Sequence, residues 1–313
     1  MQTISKLTDV QPLHRWVIQH SHLSAVCDWL LDRILGFNEP VILLVVGATG
    51  TGKSTLLKIL RKRLDELLAE AMKSDTSRLS SIAAETFFVP GRGPDWRCLF
   101  QDLLTDANDI LINRKITDGC SYKAGKTLPA LHSACIKMIQ HRRPASILLD
   151  EGGALVEAGT KGALAKNLNF LKSISNRSSC HLVVLGDYSL VKLGSMNGQL
   201  NRRCITVHLS PYAANEAEDF TKIISGFQYR LKGAGAECDL TESHNLLLER
   251  SCGCVGLLAR WLSEALIYSR RNHCPLNDDT LRKTMAPDGA LKVWQAEINR
   301  GIAALREFEG VRK

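Results

Sequence analysis

The segment that most constrains this 313-residue chain is Gly47-Ala48-Thr49-Gly50-Thr51-Gly52-Lys53-Ser54-Thr55. It fits G-x-x-x-x-G-K-[ST] and stands between an apolar run, Val41–Val46, and a helical pattern that starts at residue 53. The spacing has a mechanical meaning. The glycines let backbone N–H groups turn inward around phosphate oxygens, the lysine reaches the β- and γ-phosphates, and the next hydroxyl coordinates Mg²⁺. All nine residues are therefore candidate contacts for a nucleoside triphosphate such as ATP, with Lys53 on phosphate and Ser54 on the metal. A strand, this loop and a helix in that order belong to the α/β P-loop class.

The rest of the chain extends the pattern. Leu23, Val26, Cys27, Leu30, Leu31, Ile34 and Leu35 recur at three- and four-residue steps, so a helix precedes the first strand and ends at Gly36–Pro40. A second helix is expected over 53–73. Further short apolar runs, Thr86–Val89, Ala145–Asp150, His181–Gly186 and Cys204–Leu209, alternate with helical patterns at Trp96–Ile112, Leu128–His141 and Leu164–Ser175. Five short strands alternating with helices mean a parallel sheet covered on both faces. After Pro211 only helices are expected, over 215–231, 241–250, 255–271, 277–286 and a terminal 291–308. The expected plan is a helical segment at 1–40, a nucleotide-binding core at 41–212, and a helical lid with the terminal helix at 213–313.

Composition sets bounds. Hydrophobic residues make up 45% and charged residues 23%, which rules out a disordered or low-complexity chain. The longest apolar run is far below the ~20 residues a membrane helix needs, and the N-terminus lacks a signal-peptide core, so a cytoplasmic place is expected. Ten cysteines scattered singly read as reduced, buried small hydrophobes. Cys252-x-Cys254 with His273-Cys274 lacks the usual spacing of a zinc site. The net charge of +8 permits a polyanionic partner without demanding one.

The remaining chemistry lies at strand ends. Ala145-Ser-Ile-Leu-Leu-Asp150-Glu151 is an apolar strand closed by two carboxylates. Asp150 suits the Mg²⁺ water shell, and Glu151 suits a general base that polarises attacking water. Strand 181–186 ends in Gly186-Asp187-Tyr188-Ser189; Asp187 is the nearest candidate for a polar sensor of the γ-phosphate, with Ser189 behind it. An acid there adds like charge near phosphate. Arg202 and Arg203 precede the fifth strand, where an arginine suits a neighbouring subunit's γ-phosphate. Arg260, in Gly256-Leu-Leu-Ala-Arg260, suits a lid arginine that reaches back to the nucleotide.

Taken in order, the P-loop, Asp-Glu strand, polar strand tip, paired arginines and helical lid resemble an AAA+ ATPase. More narrowly, the chain resembles the TnsC/TniB group of transposition ATPases over about residues 20–265. The carrying segments are Phe87-Phe-Val-Pro90 with Asp95-Trp96, Pro144–Glu151 and Asn167–Asn176. The most specific is His181–Leu190 continuing to Asn197–Arg203 and Pro211-Tyr212. The resemblance implies an ATP- and Mg²⁺-dependent ATPase that assembles head to tail into rings or filaments on duplex DNA. It also implies coupling of a target-selection protein (TniQ/TnsD-like) to a transposase subunit, hydrolysis that remodels the assembly, a nucleoid-associated place, and Arg202 or Arg203 acting across the subunit interface. Two departures bear on the rate of hydrolysis. Relatives usually carry a hydroxyl residue where this chain has Asp187, and bulkier residues where it has Gly152-Gly153.

A DNA channel would contact phosphates without reading sequence. Candidate contacts are Arg92, in the loop after the second strand, and Arg114, Lys115, Lys123 and Lys126 in a long loop. Two alternatives stand beside this reading: an AAA+ ATPase of replication-initiation or helicase-loading duty, and a P-loop kinase indifferent to DNA.

Overall fold

The computed structural model describes residues 17–91, 93–108, 127–157, 160–195, 204–233, 236 and 238–310. Contacts divide the chain into two compact units. One gathers the described parts of Met1–Ala25, Gly47–Gly52 and Leu209–Ala303; the other gathers those of Val26–Val46, Lys53–His208 and Ala304–Lys313.

The second unit is built on a five-stranded, wholly parallel sheet. Its strands are β1 (Ile42–Val46), β2 (Ser81–Glu85), β5 (Ser146–Asp150), β6 (His181–Gly186) and β7 (Cys204–His208), in the order β2-β5-β6-β1-β7. β1 and β6 are buried along their whole length. They can be, because every residue but His181 is apolar or small, His181 Nδ1 accepts the Val41 N–H at 3.3 Å, and both faces of a parallel sheet are covered. The helices of this unit are α1 (Ser21–Gly36, from Val26 onward), α2 (Lys53–Leu67), α3 (Ala69–Ser74), α4 (Trp96–Asp106), α5 (Leu128–Arg142), α6 (Lys161–Ser178) and the single turn α7 (Val191–Gly194). α2 presents Leu56, Leu60 and Leu64 to the core at four-residue steps.

One expected strand is corrected. The sheet's second strand is Ser81–Glu85, not Thr86–Val89. Its register against β5 runs from Ser81 opposite Ser146 to Glu85 opposite Asp150. Ser-Ile-Ala-Ala-Glu has little β-branched or aromatic content, whereas Thr-Phe-Phe-Val has a great deal, so propensity favoured the wrong run. Tertiary packing decides otherwise: α4 lies on β2, and its last residue, Asp106, accepts the Ala83 N–H on the sheet's open edge at 2.9 Å. Asp106 is held in turn by a two-pronged pair with Arg61 at 2.8 and 3.0 Å. That covers the edge with side chains. Phe88–Val89 (β3) instead forms a short antiparallel hairpin with Gly93–Pro94 (β4). The expected helix over 53–73 is likewise two helices, α2 and α3, parted at Leu68.

The other unit is helical: α8 (Ala217–Gly233), α9 (His244–Arg250), α10 (Val255–Asn272), α11 (Asp278–Thr284) and α12 (Asp288–Gly310, to Ala303 in this unit). Its core joins Phe220, Ile224 and Phe227 of α8 to Leu258, Trp261 and Leu262 of α10. The Trp261 indole N–H is satisfied by the Leu281 carbonyl at 3.1 Å. Tyr212 is a polar hub: its hydroxyl meets His20 Nδ1 at 2.9 Å and Ser21 Oγ at 3.0 Å, and its ring stacks on His22 at 4.0 Å. No helix among the described residues is long and apolar enough to cross a membrane.

Candidate functional site

In a parallel sheet all strand C-termini lie along one edge, and ligands gather there where the strand order reverses. Here β1, which feeds the P-loop, is separated from β5 by β6 alone. Strand order therefore brings the starts of three chemically loaded segments to one edge: the loop after Val46, the acids at Asp150 and Glu151, and the turn at Asp187.

The P-loop owes its curl to backbone that side chains disfavour. Gly50 and Gly52 have φ of +83° and +102°, in the left-handed region that glycine enters at little cost. Thr51 between them is buried, and both its N–H and its hydroxyl bond the Ala48 carbonyl, at 3.3 and 2.9 Å. That closes the turn. α10 docks on it: the Gly256 N–H donates to the Gly50 carbonyl at 2.7 Å. Lys53 and Ser54 open α2, whose first turn contains no acid. The dipole of that helix start favours an anion.

Asp150 is the last residue of β5 and half-buried; its Oδ1 accepts the Glu151 N–H at 2.9 Å. Glu151 follows with φ +53°, a left-handed conformation unusual for a glutamate. What holds it there is Thr86, which periodicity had assigned to a strand and no motif singled out. The buried Thr86 hydroxyl donates to the Glu151 carbonyl at 2.6 Å and reaches the Asp150 carbonyl at 3.0 Å, where its own N–H also donates. The Glu151 side chain is exposed at its edge, yet its carboxyl is pushed above the usual carboxylate range. Partial desolvation is the largest cause, followed by the Asp150 charge; Lys53 opposes the rise, and Glu85 and Asp187 add to it. A carboxyl tuned upward in this way suits proton transfer near neutral pH.

Asp187 is exposed at the tip of β6 and caps the 3-10 turn Tyr188–Leu190, its Oδ1 accepting the Ser189 N–H at 2.7 Å. Gly152 sits where β6 leaves no room, and Gly153 lies tightly against the Asp187 side chain. A Cβ at Gly152 would stand 2.5 Å from Val184 Cγ1, and one at Gly153 would stand 3.2 Å from Asp187 Oδ2. Arg260 is exposed one turn beyond Gly256 on α10 and pairs with Glu264 at 3.3 Å. The expected trans-acting Arg202 and Arg203, and the expected DNA contacts Arg92, Arg114, Lys115, Lys123 and Lys126, lie outside the described residues.

The donor set fits Mg²⁺ in kind, a hydroxyl at Ser54 and a carboxylate at Asp150, both oxygens as a hard cation requires. The loop's left-handed glycines and the acid-free start of α2 fit a polyphosphate.

Residues 38–193 match the family described as an AAA domain. No curated protein matches the sequence. Among solved structures, the fold is similar to the Aeropyrum pernix ORC2 protein in ADPNP–ADP complexes, at TM-score 0.57 and 14% identity, covering 88% of this chain and 71% of that one. It is similar to Drosophila ORC bound to DNA, at TM-score 0.54 and 14% identity over 88% of this chain and 64% of that one. Cdc6p from Pyrobaculum aerophilum gives TM-score 0.54 and 13% identity over 89% and 73%. At such identities the likeness speaks of fold. Residues 38–193 are similar to an AAA domain, and the five-stranded parallel P-loop core followed by helices has the AAA+ fold.

Proposed function

We propose that this chain is an ATP-hydrolysing AAA+ switch that assembles on duplex DNA and regulates transposition, coupling a target-selection protein to a transposase. The observation that carries the enzymatic half is the placement of Glu151. It is held in a left-handed turn beside Asp150, its carboxyl raised, and Lys53 is near enough to oppose the rise. In this reading Gly47–Thr55 wrap the triphosphate, Lys53 neutralises it, and Ser54 and Asp150 hold Mg²⁺, which offsets phosphate charge. Glu151 takes a proton from the attacking water, and Arg202 or Arg203 completes a neighbour's site. Asp187 and Arg260 are assigned to sensing the nucleotide from the strand tip and the lid.

The DNA half rests on the resemblance of 181–212 to the TnsC/TniB group, with Arg92, Arg114, Lys115, Lys123 and Lys126 as its phosphate contacts. A second reading, an origin-recognition or loading duty, is favoured by fold likeness to ORC2 and Cdc6p. A small-molecule kinase has no such support.

The test is electron microscopy with a slowly hydrolysed ATP analogue, with and without duplex DNA, followed by transposition assays with a cognate transposase. Nucleotide-dependent rings or filaments on DNA that stimulate strand transfer support the first reading. Assembly on DNA with no effect on any transposase favours the second. A monomer indifferent to DNA sinks both.

A further inference from the structure

A groove in the sheet-bearing unit lies between α1 and α2, toward the end of α2 away from Lys53 and Ser54. It has a volume of about 450 Å³ and is lined by the apolar Leu31, Leu35 and Leu67 and the charged Asp28, Asp32 and Arg63. Asp28, Leu31, Asp32 and Leu35 follow i, i+3, i+4, i+7 spacing, so they form one stripe along α1; Arg63 and Leu67 are one turn apart on α2. Leu35 is 46% and Leu67 54% exposed, and Phe37 just beyond is 43% exposed. Large apolar side chains gathered in one exposed concavity signal a binding surface rather than scatter. Arg63 is already engaged with Asp28 at 3.4 Å, while the exposed Asp32 pairs with none of the described residues. The groove therefore lacks an apolar ridge that carries a cation.

This same chain presents such a ridge elsewhere. α12 packs Leu291, Ile298 and Leu305 inward, and on its outer side exposes Val293, Ala296, Arg300 and Ala303 at alternating three- and four-residue steps. That spacing makes a continuous seam of the kind that packs against another helix. Val293, at 63% exposed, is the projecting apolar group, and the two alanines allow close approach. Among the described side chains of α12 from Lys292 onward, the exposed charges are Lys292, Arg300 and Arg306 against Glu307, with Glu297 half-buried.

We propose that the α1/α2 groove receives the outer face of α12 from a second copy of this chain, with Val293 against Leu35 and Leu67 and Arg300 against Asp32. The two surfaces differ, so the contact is heterologous and repeats head to tail. It needs neither the nucleotide site nor the segment holding Arg202 and Arg203, and adds a second, nucleotide-independent seam to the self-assembly proposed above, on which it rests. The opposite charges select the partner and the register.

The test is sedimentation of the full chain with Mg²⁺ and a slowly hydrolysed ATP analogue, without DNA, comparing Leu67→Glu, Asp32→Arg, Arg300→Glu and the combined Asp32→Arg/Arg300→Glu. Loss of an apolar anchor of this kind weakens association by about tenfold or more, and each charge reversal should weaken it by at least about fivefold. The combined change should recover most of that loss, because it restores an opposite pair. Assembly by Leu67→Glu at the parent's concentration overturns the proposal. A combined variant no better than the single ones overturns α12 as the occupant. Unaltered self-assembly with loss of transposase or selector binding gives the groove to another protein and overturns it too. Binding of a fluorescent ATP analogue is measured on every variant, and all changed positions are exposed. A parent that fails to respond to nucleotide indicts the proposed function; variants that assemble like a responsive parent indict this contact.

Discussion

Thr86→Val is the substitution that most directly tests how the proposed base is held. It keeps the shape of the side chain and removes one hydroxyl. That hydroxyl is buried, donates to the Glu151 carbonyl at 2.6 Å and touches the Asp150 carbonyl at 3.0 Å. Loss of one such hydrogen bond costs about 0.5–1.5 kcal/mol. The Asp150 carbonyl keeps the Thr86 N–H at 3.0 Å and the Glu151 carbonyl keeps the Ala154 N–H at 3.2 Å, so what is lost is the shorter of the two bonds on Glu151. Glu151 already sits at φ +53°, and a left-handed non-glycine residue costs roughly 1–2 kcal/mol. The two magnitudes are alike, so without the hydroxyl the left-handed turn has lost about the support that its strain requires. A relaxed Glu151 occupies its working position in about a tenth of molecules, since 1.4 kcal/mol is a factor of ten. The expected result is a fall of about tenfold in the steady-state rate of phosphate release with unchanged affinity for a fluorescent ATP analogue. Thr86→Ser, which restores the hydroxyl, should recover most of the rate. Phosphate release from the valine variant at the parent's rate would refute the reasoning. So would a loss of nucleotide affinity equal to the loss of rate, because the hydroxyl acts on the turn and not on the phosphate loop.

Three other outcomes are expected. Glu151→Gln keeps ATP and DNA binding and accumulates the assembled form, while phosphate release falls by about 10²–10⁴ as for a lost general base; release at the parent's rate removes Glu151 from that role. The raised Glu151 carboxyl must be ionised to act, so phosphate release declines as pH falls and its acid limb lies above the ordinary carboxylate range; Asp187→Asn, which removes one of the raising charges, moves that limb to lower pH in a rate–pH profile. His20, buried against Tyr212, has its imidazole held down to about 4, first by burial and then by His22. The folded state thus holds it neutral while the unfolded chain takes a proton near 6.5, so its stabilising contribution is complete above 6.5 and is lost as pH falls toward 4. Between pH 7.5 and 4.5 that amounts to about 2–3 kcal/mol, and urea titrations should show a smaller acid loss of that order in His20→Asn; an equal loss in both proteins counts against the assignment.

How much of this was legible in the sequence depended on where local pattern and tertiary packing agree. β1 and β5 are apolar runs that end in chemistry-bearing residues, and burial on both faces demands that composition, so strand and function were read from the same letters. β2 is an edge strand under α4, and its Ala83 and Ala84 answer to a packed helix rather than to strand propensity. Nothing within the segment announces that, because the Asp106 carboxylate that covers its edge comes from 23 residues further on. Thr86 was hidden for the same reason. Its partners are the carbonyls of Asp150 and Glu151, more than sixty residues away, and a threonine before Phe-Phe-Val looks like one more β-branched strand residue. Gly152 could be noticed as unusual but explained only with β6 in place, since Val184 fills the space its side chain would need.

The electrostatics of the strand edge also recast the objection to an acid at the tip of β6. Glu85, Asp150, Glu151 and Asp187 gather along one edge with Lys53, and three of the carboxylates push the fourth upward. An additional triphosphate would push Glu151 further still, toward a neutral acid that cannot act as a base. The site as folded is therefore overcharged for its proposed substrate and needs cations to accompany the phosphates. Asp187 contributes least to that problem: Oδ1 is committed to the Ser189 N–H, and its influence on Glu151 ranks below those of Asp150, Lys53 and Glu85. Asp187 thus fits the proposed sensing position through the turn it caps, while its charge moderates the base. In the proposed switch, hydrolysis that is slow without full neutralisation would let the assembled state last, and the surplus of carboxylates at this edge is the proposed source of that delay.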